Sequence, residues 1–188
     1  MSRKITPEES LFLQSLATTS LLAELQNNDF LNSEYFLNLK FDNNSFKKIL
    51  VSSGIGNPAC MQMMVYALLI IPKEILTEEV YNGINSKFID INKKIDGMVE
   101  EKGTFTNYKS DQKLTGYKMD YLRHIRNAVS HARCEYESDN NKNFVTFKDI
   151  STTGNECCEI KIECQKVGLI LMELQKLMID YYNGYIYI

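Results

Sequence analysis

The sequence predicts a mainly α fold, a helical bundle carrying a small antiparallel β-hairpin or three-stranded insertion before the last helix. Three observations predict it. Apolar residues recur at helical spacing along most of the chain up to Ala132; directly afterwards the pattern changes to alternation; and from Gln165 the helical period returns. At 188 residues, of which 44% are hydrophobic, the chain suits one domain over 1–188 with a core of its own.

The elements follow in order. Thr6-Pro7-Glu8-Glu9 reads as a helix start, with a hydroxyl at the N-cap, proline in the first turn and a carboxylate at the third position. The helix should run to about Gln26, with Leu11, Leu13, Leu16, Ala17, Ser20, Leu21 and Leu25 at helical spacing, and end at Asn27-Asn28-Asp29. Two short helical pieces follow, Asn32 to Leu39 and Ser45 to Val51, divided by Asp42-Asn43-Asn44. Gly54-Ile55-Gly56-Asn57-Pro58 delivers Asn57 as N-cap and Pro58 as first residue of a helix ending near Pro72. That helix is apolar nearly all round, which places it in the middle of the bundle, with Met61, Met63 and Met64 as core filling. Gly54-x-Gly56 lacks the third glycine and the preceding strand of a dinucleotide fingerprint.

From Glu74 to about Glu101, the residues Leu76, Val80, Ile84, Phe88, Ile91, Ile95 and Met98 repeat in steps of four and three, the mark of one long helix with a single seam. Gly83 and Gly97 interrupt it, and close approach of another helix would explain them. A loop from Lys102 to Ser110 leads to Asp111, a candidate cap for a helix over about 111–133. The β segment spans about 134–164. Cys134 to Glu137 and Phe144 to Phe147 flank a loop of about five residues, and Cys158 to Glu163 supplies a third strand after the turn at Thr153-Gly154-Asn155. A helix over about 165–182 turns Val167, Ile170, Leu171, Leu174, Leu177 and Met178 inward. The tail Asn183 to Ile188 then alternates like a strand and should pack on the body or on a second subunit.

Chemistry concentrates in the helix that precedes the hairpin. Tyr117 to Arg133 contains both histidines of the chain. At about 100° per residue, with Arg126 at zero, the apolar side chains Tyr121, Leu122, Ile125, Ala128, Val129 and Ala132 fall between about 200° and 320°. The arc from about 0° to 160° collects Arg126, Ser130, Arg123, Asn127, Asp120, His131 and His124. One face packs, and the other presents imidazole, which titrates near neutrality, beside guanidinium, whose fork fits phosphate oxygens. That pairing points to a phosphate substrate. Arg126 and His131 are five apart and diverge by about 140°. A tight site therefore needs a second copy of the helix, so that arginine from one and histidine from the other converge.

Composition narrows the field. The formal charge of −3 leaves no whole-molecule basic field, yet Lys102 to Arg133 holds seven basic residues against Asp111 and Asp120. Met1-Ser2-Arg3-Lys4 does not open a signal peptide, and the apolar run Ala59 to Ile71 is shorter than the roughly 20 residues of a membrane helix, so no membrane association is expected. Cys60, Cys134, Cys157, Cys158 and Cys164 form an odd set without paired metal-ligand spacing and read as reduced thiols of a cytoplasmic protein. Strand alternation accounts for Cys157, Cys158 and Cys164 more economically than a soft metal does. Neither metal nor cofactor is expected.

Arg126-Asn127-Ala128-Val129-Ser130-His131 resembles the R-x4-6-H signature of HEPN domains, in the form where asparagine follows arginine. Helices before it, the amphipathic helix that carries it and the hairpin ending Phe147-Lys148-Asp149 resemble bacterial HEPN-family nucleases of toxin and phage-defence elements over about Asp111 to Asp149. The resemblance implies a helical domain that forms a homodimer through facing motif helices and cleaves single-stranded RNA without metal. The ribose 2′-hydroxyl would attack the adjacent phosphate, leaving a 2′,3′-cyclic phosphate and a 5′-hydroxyl. Arg126, His131 and Asn127 would be catalytic, and Arg123, His124 and Ser130, on the same arc, would bind substrate. An antitoxin or other regulatory partner is further implied. HEPN toxins silenced by an adenylylating antitoxin usually carry tyrosine two residues after the histidine, and here that position is Arg133. Two other readings stay open: a noncatalytic RNA- or nucleotide-binding or assembly module, and a solvated helix face or one paired with acids such as Glu173 and Asp180.

Overall fold

A computed structural model describes residues 5–185. Helix α1, Pro7–Asn27, starts as its sequence requires: the Thr6 hydroxyl accepts the Glu9 amide at 3.2 Å while the Glu9 carboxylate accepts the Thr6 amide at 3.0 Å. Its buried stripe is Glu9, Phe12, Leu16 and Thr19, so Leu11 and Leu21, expected inward, face solvent. A short 3-10 turn at Phe30–Asn32 leads to α2, Glu34–Asn38, and after the polar break comes α3, Asn44–Ser53.

The expected central helix begins at Pro58 with Asn57 as its cap and runs as α4, Pro58–Val65. It does not stop at Pro72. Tyr66–Ile70 forms one π-helical turn, in which the Ile71 amide reaches the Tyr66 carbonyl, and α5, Ile71–Ile75, continues beyond. Proline lacks an amide hydrogen and its ring collides with the carbonyl four residues back; widening the turn just before it lets the helix proceed. By length and mean hydropathy Pro58–Ile75 would also pass as a membrane span. Here it packs against α1 and the other helices of the core.

The long helix expected from Glu74 to Glu101 is three pieces: the end of α5, α6 at Glu78–Asn85 and α7 at Phe88–Asp96. Leu76 is extended and the Thr77 hydroxyl caps the new helix by accepting the Val80 amide; the Ser86 hydroxyl bonds to the Gly83 carbonyl at the second break. Hydroxyls that bond locally compete with helix continuation, and the apolar period is blind to them. Gly83 does permit close approach, since a Cβ there would collide with the Tyr181 hydroxyl, whereas Gly97 simply follows the end of α7.

The motif helix α8, Tyr121–Ser130, is shorter than expected at its start, and Asp120 rather than Asp111 is its cap. Asp111 lies in a 3-10 turn, Asp111–Lys113. Four antiparallel strands follow the order β1-β4-β3-β2, where β2 is Cys134–Asp139, β3 Lys142–Ile150 and β4 Cys157–Glu163. The hairpin connection is two residues, not five: Asn140 and Asn141 both take positive φ, 48° and 63°, as a twist-compatible tight turn requires. The fourth strand, β1 at Phe105–Thr106, comes from the loop before α8 and pairs with β4; two residues give no alternation to read.

Helix α9, Cys164–Tyr185, buries Val167, Ile170, Leu171, Leu174 and Met178, as their spacing predicts. It runs on through Asn183, where a strand was expected, and the rest of that expected strand, Ile186 to Ile188, lies outside the described residues. The result is mainly α with a small sheet before the final helix. Helix α8 sits at its centre, packed on β3 and β4 on one side and on α4, the π turn and α7 on the other. Of its apolar stripe, Tyr121, Leu122, Ile125 and Ala128 are buried as the wheel predicts, Val129 is half-buried, and Ala132, past the end of the helix, is exposed.

Candidate functional site around the central helix

The first turn of α8 is anchored twice. The Asp120 carboxylate accepts the Arg123 amide at 3.3 Å, and Asn92 on α7 accepts the Leu122 amide at 3.0 Å while donating to Asp120 at 3.4 Å. Two of the amides a helix start leaves unpaired are thus used. At the other end His131 is the C-cap, Ala132 takes a left-handed φ of 52°, and the Arg133 amide returns to the Ala128 carbonyl at 2.8 Å. This is a Schellman ending with alanine where glycine is usual. The turn aims the chain into β2, and the Arg133 guanidinium fastens it by donating to the Ile150 carbonyl at 3.0 Å.

The polar arc of α8 divides into three environments. His124 is not on an open surface. It is 1% exposed, with Nε2 at 2.8 Å from Asp111 and Nδ1 at 2.7 Å from Asp149, and its ring lies against Tyr108. Both contacts are hydrogen bonds only when both ring nitrogens carry hydrogen or one carboxyl does. Arg123 joins the cluster, donating to Asp111 at 2.7 Å and to the Ser110 hydroxyl at 3.0 Å, with Asp120 at 3.5 Å from its Nε. Burial pushes the Asp149 carboxyl upward, but hydrogen bonds from His124 and Asn127 and the charge of Arg123 outweigh it, so the group sits below the ordinary 3.8. Burial, with the neighbouring Asp149 carboxylate, pushes the Tyr108 phenol up to about 12.

Asn127 faces this buried cluster rather than His131: its amide nitrogen donates to Asp149 at 3.0 Å, and its carbonyl oxygen is 3.4 Å from Arg126 Nη2. Arg126 is half-buried, and its Nη1 donates to the Tyr81 hydroxyl of α6 at 2.9 Å. Among the described residues no carboxylate stands within ion-pair distance of Arg126. Ser130 and His131 are exposed; the Ser130 hydroxyl bonds back to the Arg126 carbonyl at 2.9 Å, and no described residue hydrogen-bonds the His131 imidazole. Arg126 and Arg123 share a small cavity that His131 does not line. One chain thus brings Arg126, Asn127, Arg123 and His124 into one hydrogen-bonded chain and leaves His131 apart from it.

The acids that answer Arg123 are Asp111 and Asp120, and Asp149 answers His124 and Asn127; Glu173 is paired with Lys94 at 2.7 Å. Asp149, Tyr81 and Tyr108 are the participants that motif reading missed. Asp149 carried a signal: on β3 it stands in step with Val145 and Phe147, and a carboxylate on the inward face of a strand needs a buried partner. Among the described residues no group of three or more His, Cys, Asp or Glu side chains is placed to hold a metal ion.

A helical bundle with an asparagine-flanked arginine on its central helix, a histidine at that helix's end and a hairpin directly after it defines the HEPN class of domain. The chain matches the family model HEPN pEK499 p136 over residues 5–185, nearly its whole length, and belongs to that family. No curated protein and no solved structure gives a match. The likeness read from Asp111 to Asp149 therefore extends through the preceding helices and α9.

Proposed function

We propose that this HEPN domain is a metal-independent endoribonuclease that cuts single-stranded RNA as a dimer, in a toxin or phage-defence setting. The observation that supports it most is Arg126, a half-buried guanidinium without a carboxylate partner among the described residues, with an exposed imidazole, His131, at the C-cap of the same helix. An arginine left without an acid in a protein that pairs Arg123 with two is suited to an anion from outside. Arg126 and His131 are about 140° apart around the axis and roughly 7.5 Å along it. Two antiparallel copies of α8 would place the His131 of one beside the Arg126 of the other.

In that arrangement His131 takes the proton from the ribose 2′-hydroxyl, the 2′ oxygen bonds to phosphorus, and the bond from phosphorus to the 5′ oxygen breaks. The leaving 5′ oxygen takes the proton that His131 gained, which restores the neutral imidazole, and the products are a 2′,3′-cyclic phosphate and a 5′-hydroxyl. Arg126 neutralises the charge building on the non-bridging oxygens. Asn127, held by Asp149, keeps Arg126 in place from one side while Tyr81 holds it from the other. Arg123 and Ser130 flank the strand path, and the buried His124 acts on the site through Asp149 and through Asp111 and Arg123.

Purified protein should cut single-stranded RNA in EDTA, leave cyclic phosphate ends and run as a dimer, and His131→Ala should abolish cutting while remaining folded. Full cutting by that variant would remove the histidine from the mechanism. A second reading, a module that holds RNA or a regulatory partner without cutting, is favoured by the separation of His131 from Arg126 within one chain. It expects RNA retention without cleavage, equal for wild type and His131→Ala, and no relief of growth inhibition by that substitution.

A further inference from the structure

Between α6 and α8 lies a cavity of about 200 Å³ whose walls include Tyr81, Asn85, Phe88, Asp120, Arg123 and Arg126. Pockets for drug-sized ligands run from about 300 to 1000 Å³, so this one has room for a single planar ring system rather than a larger molecule. Its electrostatics are directional. Arg123 is answered by Asp111 and Asp120, whereas Arg126 is not, so the uncompensated positive charge sits at the Arg126 end. Tyr81 and Asn85 are four apart on α6 and present to one side. The Tyr81 hydroxyl is committed to Arg126, and the half-buried tyrosine lines the cavity beside the guanidinium. Asn85 is exposed at the rim, and no described residue hydrogen-bonds its amide, which offers one donor group and one acceptor.

We propose that this cavity is a base subsite: it takes one nucleobase of a single-stranded RNA whose phosphate lies on Arg126. The base stacks on the Tyr81 ring, and Asn85 reads its hydrogen-bonding edge. Recognition by an aromatic face plus an amide at the edge is how unpaired bases are held. The inference rests on the reading that Arg126 meets an RNA phosphodiester, and it adds a choice of base that the motif helix alone does not supply.

The test uses full-length protein and fluorescent hexanucleotides 2′-O-methylated at every ribose, which lack the attacking hydroxyl and so report binding alone. Wild type should bind, and an abasic residue at one position should weaken it. Tyr81→Ala should weaken binding by about 5- to 150-fold, the range that loss of one stacked base gives. Asn85→Ala, on an exposed position, should stay folded and flatten the preference among oligo-A, oligo-C and oligo-U. Absence of binding by wild type, or indifference to both the abasic residue and Asn85→Ala, overturns the subsite; if Tyr81→Ala unfolds, Asn85→Ala decides. Cutting of unmodified RNA is scored separately. Binding with this pattern but no cutting removes catalysis and keeps the subsite, and cutting without the pattern removes the subsite alone.

Discussion

Replacing His124 with alanine makes the sharpest test of the buried cluster. In the native protein the imidazole stands between two carboxylates that are each 4% exposed, at 2.8 Å from Asp111 and 2.7 Å from Asp149. Removing it leaves both acids buried with one donor fewer each. Breaking a buried ionic network by deleting one partner costs about 3–5 kcal/mol. For a chain of this size each kcal/mol lowers the midpoint of thermal unfolding by about 2–4 °C, so His124→Ala should melt roughly 6–20 °C lower at pH 7. The pH dependence gives the sign. Asp149 is held below its ordinary 3.8, so its contribution to native stability is present above that value and is lost as pH falls through the lowered one; wild type should weaken below about pH 4. In His124→Ala one of the hydrogen bonds that lower Asp149 is gone, so the loss of stability on acidification that Asp149 carries should be smaller than in wild type. Urea unfolding followed by circular dichroism at several pH values reads both slopes. A loss under about 1 kcal/mol at pH 7, or a variant whose stability falls as steeply as that of wild type on acidification, would refute the account.

Ala132 holds a left-handed φ of 52°, a conformation that costs a side-chain-bearing residue about 1–2 kcal/mol. Ala132→Gly should therefore raise the melting midpoint by a few degrees even after the greater chain entropy of glycine is subtracted, and a lower midpoint would show that the turn is unstrained. Asp120→Ala removes the cap of α8 and a partner of Arg123 and should cost about 1–2 kcal/mol in chemical unfolding; no change would mean that Asn92 alone secures that end. His131→Ala, at an exposed position, should stay within about 0.5 kcal/mol of wild type, which makes its cleavage assay interpretable.

The parts of the fold that were legible are those where burial alone decides. The stripe Leu122, Ile125 and Ala128 and the inward set of α9 are buried as spaced, because one apolar face must meet the core whatever its neighbours are. Expectation failed where local hydrogen bonding or one extra residue decided. Thr77 and Ser86 cut a seam that looked continuous, and the turn at Tyr66–Ile70 carried a helix past its proline. The site was half legible for the same reason. A wheel places Arg126, Asn127 and His124 on one arc but knows nothing of β3, which brings Asp149 against that arc and turns His124 from a surface group into a buried one.

The wide turn at Tyr66–Ile70 sets a phase relation along Pro58–Ile75. One residue more than an α-turn uses rotates everything beyond it by about 100° relative to everything before. Met61 and Val65 ahead of it and Leu69 and Pro72 around it all end up buried, and Leu69 also walls the cavity at Arg126. Deleting a single residue from this turn would give a more regular helix and a worse protein: one half or the other would point its greasy side at water, and the floor beneath the arginine would swing away. The irregularity works as a vernier, matching the register of a long rod to two neighbours that demand different settings.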